Sequence, residues 1–221
     1  MAAMTIKKTR TAILVSGRGS NMQALVEAAR AVDYPAEIVL VASNRPDAAG
    51  LEWARSQGLP TASIDHTRHA TREAFEASLQ QTLDAANVEL VALAGFMRLM
   101  TPAFVESWRN RMINIHPSLL PSFKGLHTHE HALAAGVKIT GCTVHFVRAE
   151  MDDGPIIAQA AVPVLGGDTP ALLAERVLAA EHRIYPVALR LVAAGLARCE
   201  GEKVSVSHDL KASLPLYSPN L

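Results

Sequence analysis

The feature that most restricts this 221-residue chain is an alternation of short apolar runs with helix-patterned segments across its first half. Thr11–Ser16, Ala36–Ser43, Thr61–Ile64 and Val88–Ala94 are short, rich in Ala, Val, Ile or Leu, and bounded by turn formers. Runs of that length and kind suit buried parallel strands. Residues 22–31, the stretch after Asp47 through Arg55, and residues 71–86 read as the intervening helices. Such units cross over right-handedly and build a parallel sheet covered on both faces. The expected fold class is therefore α/β, a doubly wound and mostly parallel sheet.

The pattern changes beyond residue 110. Residues 111–115 read as a fifth strand, 129–135 as a short helix, and 139–147 as a strand. Residues 156–164 read as its antiparallel neighbour, joined through Asp152-Asp153-Gly154-Pro155. Asp168-Thr169-Pro170 opens a long helix with proline at its first position, and Pro186 is expected to kink or split it. Residues 205–221, with prolines and scattered polar groups, read as a loosely held tail. With no repeat or linker, residues 1–221 form one expected domain, with a nucleotide-binding-like half at about 11–110 and a second half at about 111–197.

Lys plus Arg and Asp plus Glu both number 21, so no global field attracts nucleic acid or an anionic membrane. Cys142 and Cys199 make no CxxC or metal-ligand spacing, which suits a reduced, cytoplasmic setting. The basic first ten residues are followed by no apolar core of signal-peptide length. The longest apolar run, Val88 to Met100, is broken by Glu89 and Arg98 and is too short to span a bilayer. A soluble protein is expected, a monomer or a homodimer.

Chemistry concentrates in Met112–Pro121. Asn114 and His116 are two apart in a strand-like run, so an amide and an imidazole share one face. Pro117 and Pro121 then forbid regular structure and leave a rigid loop, a usual mount for a site. A hydrogen-bonded strand-end histidine without chemistry is the plain alternative.

Gly17-Arg18-Gly19-Ser20-Asn21-Met22 lies between a strand and a helix, where backbone amides and the helix dipole attract anions. Three readings stand: a phosphate monoester site, an NADP-type dinucleotide site, and a structural turn. Met22 occupies the third glycine position of the dinucleotide fingerprint, and Asn44-Arg45 replaces its ribose-binding acid. Ser20 and Gln23 have capping-box spacing. His127, His129 and His131 alternate without a set of metal-ligand spacing, so no metal is expected. Of Asp152 and Asp153, turn chemistry explains one. The other could sit beside His116 and favour its charged form, and the residues do not say which.

Taken together, Ser16–Asn21, Ala94-Gly95-Phe96-Met97-Arg98, Asn114–Pro121, Gly125–His129, and Thr143–Val147 through Asp152 and Gly154-Pro155 closely resemble the phosphoribosylglycinamide formyltransferases. The likeness runs from about residue 11 to about residue 190. It implies the formyltransferase fold, with an antiparallel C-terminal portion, and formyl transfer from 10-formyltetrahydrofolate to glycinamide ribonucleotide in purine biosynthesis. The resemblance puts catalysis on Asn114, His116 and Asp152, leaving Asp153 to the turn. It puts the ribonucleotide on Gly19, Ser20, Asn21, Met22, Gln23 and Glu181. It puts folate on Arg72, on Met97, Arg98, Leu99 and Met100, and on Asn114, Arg148, Ala149, Glu150, Met151 and Asp152. One position departs from it: Leu178 stands where the family has a glutamine, touching one ribose or phosphate contact and not the reaction.

Overall fold

Successive residues of the first strand are buried in opposite directions. Along β1 (Thr9–Val15), Ile13 and Val15 enter one apolar layer, and Ala12 and Leu14 enter the other. Both faces of the strand are therefore covered, as a parallel strand requires. The protein, a computed structural model, is described for residues 7–207 and for Leu216 and Ser218.

After β1 come α1 (Ser20–Ala29), β2 (Ala36–Ser43), α2 (Ala49–Ser56) and β3 (Thr61–Ser63), then α3 (Arg72–Ala85) and β4 (Leu90–Leu93). α4 (Pro102–Ser107), β5 (Met112–His116), α5 (Thr128–Ala134), β6 (Ile139–Phe146) and β7 (Ile156–Pro163) follow. The chain continues through α6 (Pro170–Ala193) to a hairpin of β8 (Ala197–Glu200) and β9 (Lys203–Val206). The main sheet runs β3-β2-β1-β4-β5-β6-β7. β1 to β5 are parallel, and β6 is antiparallel to both its neighbours. The winding reverses between β1 and β4, and ligands of open α/β sheets bind outside the carboxyl ends of strands at such a point. One apolar layer packs under α1, α2 and α6, and the other under α3 and α4. No helix among the described residues is long and apolar enough to cross a membrane.

Four sequence expectations are corrected. Ser20 does not cap α1. The N-cap is Gly19, which carries no side chain, so the capping box with Gln23 does not form and the first-turn amides receive no side-chain cap. Pro186 does not split α6, which runs unbroken for 24 residues. α4 was not expected, although Thr101 caps it and Pro102 opens it. Residues 203–206, partly assigned to the tail, form β9, and most of 208–221 lies outside the described residues.

α6 docks through Tyr185, which is completely buried. Its hydroxyl donates to the carbonyls of Leu93 at 2.9 Å and Ile113 at 3.4 Å, bracing β4 against β5. Tyr185→Phe is expected to lower stability by about 1–2 kcal/mol, read as a shift of the urea midpoint with an unchanged slope.

Candidate active site

The carboxyl end of β5 carries Asn114 and His116 on one face, and β6 sets His145 opposite Asn114 and Thr143 opposite His116. His116 is buried, with Nδ1 3.3 Å from Asp152 Oδ2 and Nε2 2.9 Å from the Phe123 carbonyl oxygen. Both ring nitrogens thus face acceptors, an arrangement that a doubly protonated ring satisfies. Asp152 Oδ2 also accepts from the Gly125 amide at 2.9 Å. Asp152 sits at φ 53°, a left-handed conformation that aspartate tolerates better than most residues. The turn is held from behind by Gly154, where a Cβ would overlap the Phe146 carbonyl oxygen. Asp153 faces away and forms an exposed ion pair with Lys124. Geometry therefore separates the two aspartates: Asp152 is the one beside the histidine.

The ribonucleotide residues predicted from sequence gather at the start of α1 and the middle of α6. Gly19, at φ 73°, leads into Ser20, Asn21, Met22 and Gln23 on the first turn of α1. A Cβ on Gly19 would come within 3.0 Å of Met22 Cε, so the turn is packed as well as bent. The Ser16 hydroxyl donates to Asn44 Oδ1 at 2.5 Å and accepts from the Met97 amide at 2.8 Å, joining the ends of β1 and β2 to the loop after β4. Asn21 Nδ2 donates to Glu181 Oε2 at 2.6 Å, across 160 residues of chain. Asn21 Oδ1 is buried with no protein partner. Leu178 is half-buried three residues before Glu181.

The residues expected at the folate site divide. Met97, Leu99 and Met151 are exposed apolar side chains, with Leu126 likewise exposed nearby in the chain order of the site loops. Asn114 and Asp152 belong to the cluster above, Met100 is half-buried, and Ala149, Glu150 and Arg72 are exposed. Two arginines are engaged elsewhere. The Arg98 guanidinium lies 5.5 Å from the Phe75 ring centroid. Arg148 donates to Glu202 at 3.0 Å, Asn110 at 2.9 Å and the Val147 carbonyl at 3.1 Å, so its side chain clasps the β8–β9 hairpin. A cavity of about 510 Å³ lies between that hairpin and residues 152–156, with Leu120 and Pro121 on its wall.

Residues 9–189 match the family described as formyl transferase. The chain belongs to the formyl transferase family. It is 44% identical to phosphoribosylglycinamide formyltransferase of Escherichia coli strain K12, over 83% of this chain and 86% of that one. It is 51% identical to the bovine trifunctional purine biosynthetic protein adenosine-3 over 87% of this chain, and spans 19% of that protein's length. Among solved structures, glycinamide ribonucleotide transformylase 1 from Symbiobacterium toebii superposes with a TM-score of 0.88 at 48% identity, covering 90% of this chain and 94% of that one.

The alternating histidines do not converge. His127 holds the N-cap position of α5 without a side-chain cap bond and lies 3.6 Å from Glu130, His131 is exposed, and His129 is half-buried, its pKa lowered by burial. Among the described residues no group of three or more His, Cys, Asp or Glu is arranged to hold a metal ion. His145 was missed. It is 2% exposed, with Nε2 3.3 Å from Asn114 Nδ2 and 3.9 Å from Asp152 Oδ1. The available signal was the alternation Thr143-Val144-His145, which puts residues 143 and 145 on one face of a strand beside β5.

Burial raises the pKa of Glu181, partly offset by its bond from Asn21. A raised carboxyl favours the folded state while protonated. That contribution is present below the unfolded pKa and is lost as pH rises through the folded one. Glu181→Gln is expected to melt above the wild type at pH 8, with the gap closing toward pH 4, in calorimetric scans across that range.

Proposed function

We propose that the protein transfers the formyl group of 10-formyltetrahydrofolate to the amine of glycinamide ribonucleotide, giving formylglycinamide ribonucleotide and tetrahydrofolate in de novo purine biosynthesis. The observation that carries this reading is the meeting of Asn114, His116 and Asp152 at the carboxyl end of β5. An uncapped helix start and an exposed apolar rim belong to the same end of the sheet. The names of the relatives above support it.

On this reading the phosphate of the ribonucleotide lies at the first turn of α1, where free amides and the helix dipole favour an anion. Glu181, held by Asn21, faces the ribose. Folate lies along Met97–Met100 and the main chain of 148–152, with Arg72 toward its acidic end. The amine attacks the formyl carbon, forming a carbon–nitrogen bond and a tetrahedral oxyanion. The Asn114 amide donates to that oxygen as its charge develops, with the His116–Asp152 pair packed beside it. Collapse breaks the bond to the folate nitrogen, and the proton lost by the amine goes to that nitrogen, relayed through the His116–Asp152 pair. Much of the rate then comes from holding two bound substrates in register. As written, the reaction needs neither a covalent enzyme intermediate nor a metal ion, and the partners are small molecules in the cytoplasm, without nucleic acid or membrane.

The direct test is transfer of isotope-labelled formyl from 10-formyltetrahydrofolate to glycinamide ribonucleotide. Labelled formylglycinamide ribonucleotide is expected, at a rate unchanged by chelator. Label recovered only as formate would assign hydrolysis instead.

The adjacent aspartates give a finer test. Asparagine suits the left-handed conformation at position 152, so Asp152→Asn changes charge while sparing the backbone. It is expected to slow the chemical step by roughly 10²-fold or more. Asp153→Asn removes only an exposed ion pair and is expected to leave single-turnover rates within about twofold.

A further inference from the structure

Asparagine side chains are ambiguous at both ends, because an amide can present either its nitrogen or its oxygen to a neighbour. For Asn114 that ambiguity matters, since only an N–H can stabilise a developing oxyanion. We propose that His145 is the positioning residue that fixes the Asn114 carboxamide, nitrogen toward the imidazole, leaving its second N–H for the reacting oxygen. The proposal rests on the reaction proposed above.

The argument starts from the far side of the ring. His145 Nδ1 lies 2.9 Å from the Phe146 carbonyl oxygen. Two lone pairs cannot face each other at that distance, so Nδ1 carries a hydrogen and donates it. Burial lowers the pKa of His145 and favours the neutral ring, outweighing the Phe146 carbonyl and the Asp152 carboxylate, which act the other way. In a neutral imidazole with Nδ1 protonated, Nε2 is an acceptor. The group 3.3 Å away is the Asn114 amide nitrogen, which can only donate. Turning the amide over would set its oxygen against the Nε2 lone pair. A chain of donors thus runs from Asn114 through His145 to the main chain of β6, and its anchor is a backbone carbonyl that cannot titrate.

The neighbouring carboxylate takes no hydrogen from the ring. Asp152 Oδ1 is 3.9 Å from Nε2, too far to take a hydrogen from it. The same carboxylate is engaged through Oδ2 with His116 and the Gly125 amide. The strand register repeats the point: Asn114 and His145 are direct antiparallel partners, and β6 carries an irregularity between Val144 and His145 against β7. Irregularities of that kind re-aim side chains beside active sites. His145 touches no reacting atom in this scheme. It acts through Asn114.

Two measurements test it. In protein labelled with 15N-histidine, His145 is expected to show the neutral, Nδ1-protonated tautomer at pH 7.5. An Nε2-protonated ring or an imidazolium there would overturn the proposal without any substrate being added. In steady-state transfer assays, His145→Phe keeps bulk but offers no acceptor. It is expected to lower kcat by roughly 10- to 100-fold, with KM for both substrates within about threefold; outright loss of an oxyanion donor costs roughly 10²–10³. His145→Gln supplies an acceptor oxygen and is expected to recover most of the loss. In an Asn114→Ala background, His145→Phe is expected to cost nothing further, because the group it aims is gone. Equal losses in the Phe and Gln variants, or additive losses in the double variant, would make His145 merely structural. Absence of transfer in the wild type would strike the proposed reaction, while the tautomer measurement would still judge the positioning.

Discussion

The site depends on the register between β5 and β6. β5 takes its place in the sheet as the last parallel strand, beside β4, and then accepts an antiparallel partner. That change of direction is what lets a histidine arriving late in the chain stand opposite an asparagine arriving earlier. Side chains alternate with a period of two, so a slip of one residue would turn Asn114 and His116 to the opposite face together. The register is held by more than the ladder. The Thr143 hydroxyl donates to the Ser118 carbonyl and accepts from the Leu120 amide, and Gln159 of β7 donates to the same oxygen. These polar groups are buried and paired, so they fix one arrangement at little cost.

A second set of bonds brings the two proposed substrate regions to one scale. Ser16 links the loop after β1 to the loop after β4, whose exposed methionine and leucine form the apolar rim. α3 holds the far end of that loop: Glu76 takes both the amide and the hydroxyl of Thr101, and Gln80, one turn on, accepts from the Trp108 indole at 2.8 Å. The loop is therefore free only between two anchors. Exposed side chains on a braced main chain combine an adaptable apolar surface with a fixed backbone, which suits a cleft for a flat, conjugated ligand.

The parallel half of the fold was legible because burial on both faces writes itself as continuous apolar runs, and the strands fell within a residue or two of their expected ends. Asn114, His116 and the Asp152 turn were legible as residue types in suggestive places, and the family resemblance turned them into roles. Local reading failed where the deciding contact is remote. Ser20 has capping-box spacing, but the left-handed Gly19 takes the cap position first. Pro186 lies inside α6, with the packing of Tyr185 beside it and a bond from Tyr34 to its carbonyl supporting the helix on both sides. The Arg148 side chain turns to Glu202 and Asn110, contacts that no pattern along the chain announces. Which aspartate meets His116 depends on a left-handed residue and on Gly154 against Phe146, neither of which has a pattern along the chain.

The bond between Asn21 and Glu181 also has a kinetic meaning. It spans 160 residues, and α6 makes further bonds of the same reach: Tyr34 to Pro186 across 152 residues and Thr9 to Ala193 across 184. Closing such long loops is slow compared with forming the local βαβ units. During folding the parallel half can assemble with its α1 turn already shaped, yet the pocket beside that turn stays open until α6 docks. Under the proposed function, recognition of the ribose would then be the last property the chain acquires, and a partly folded molecule would hold a phosphate without telling which molecule carries it.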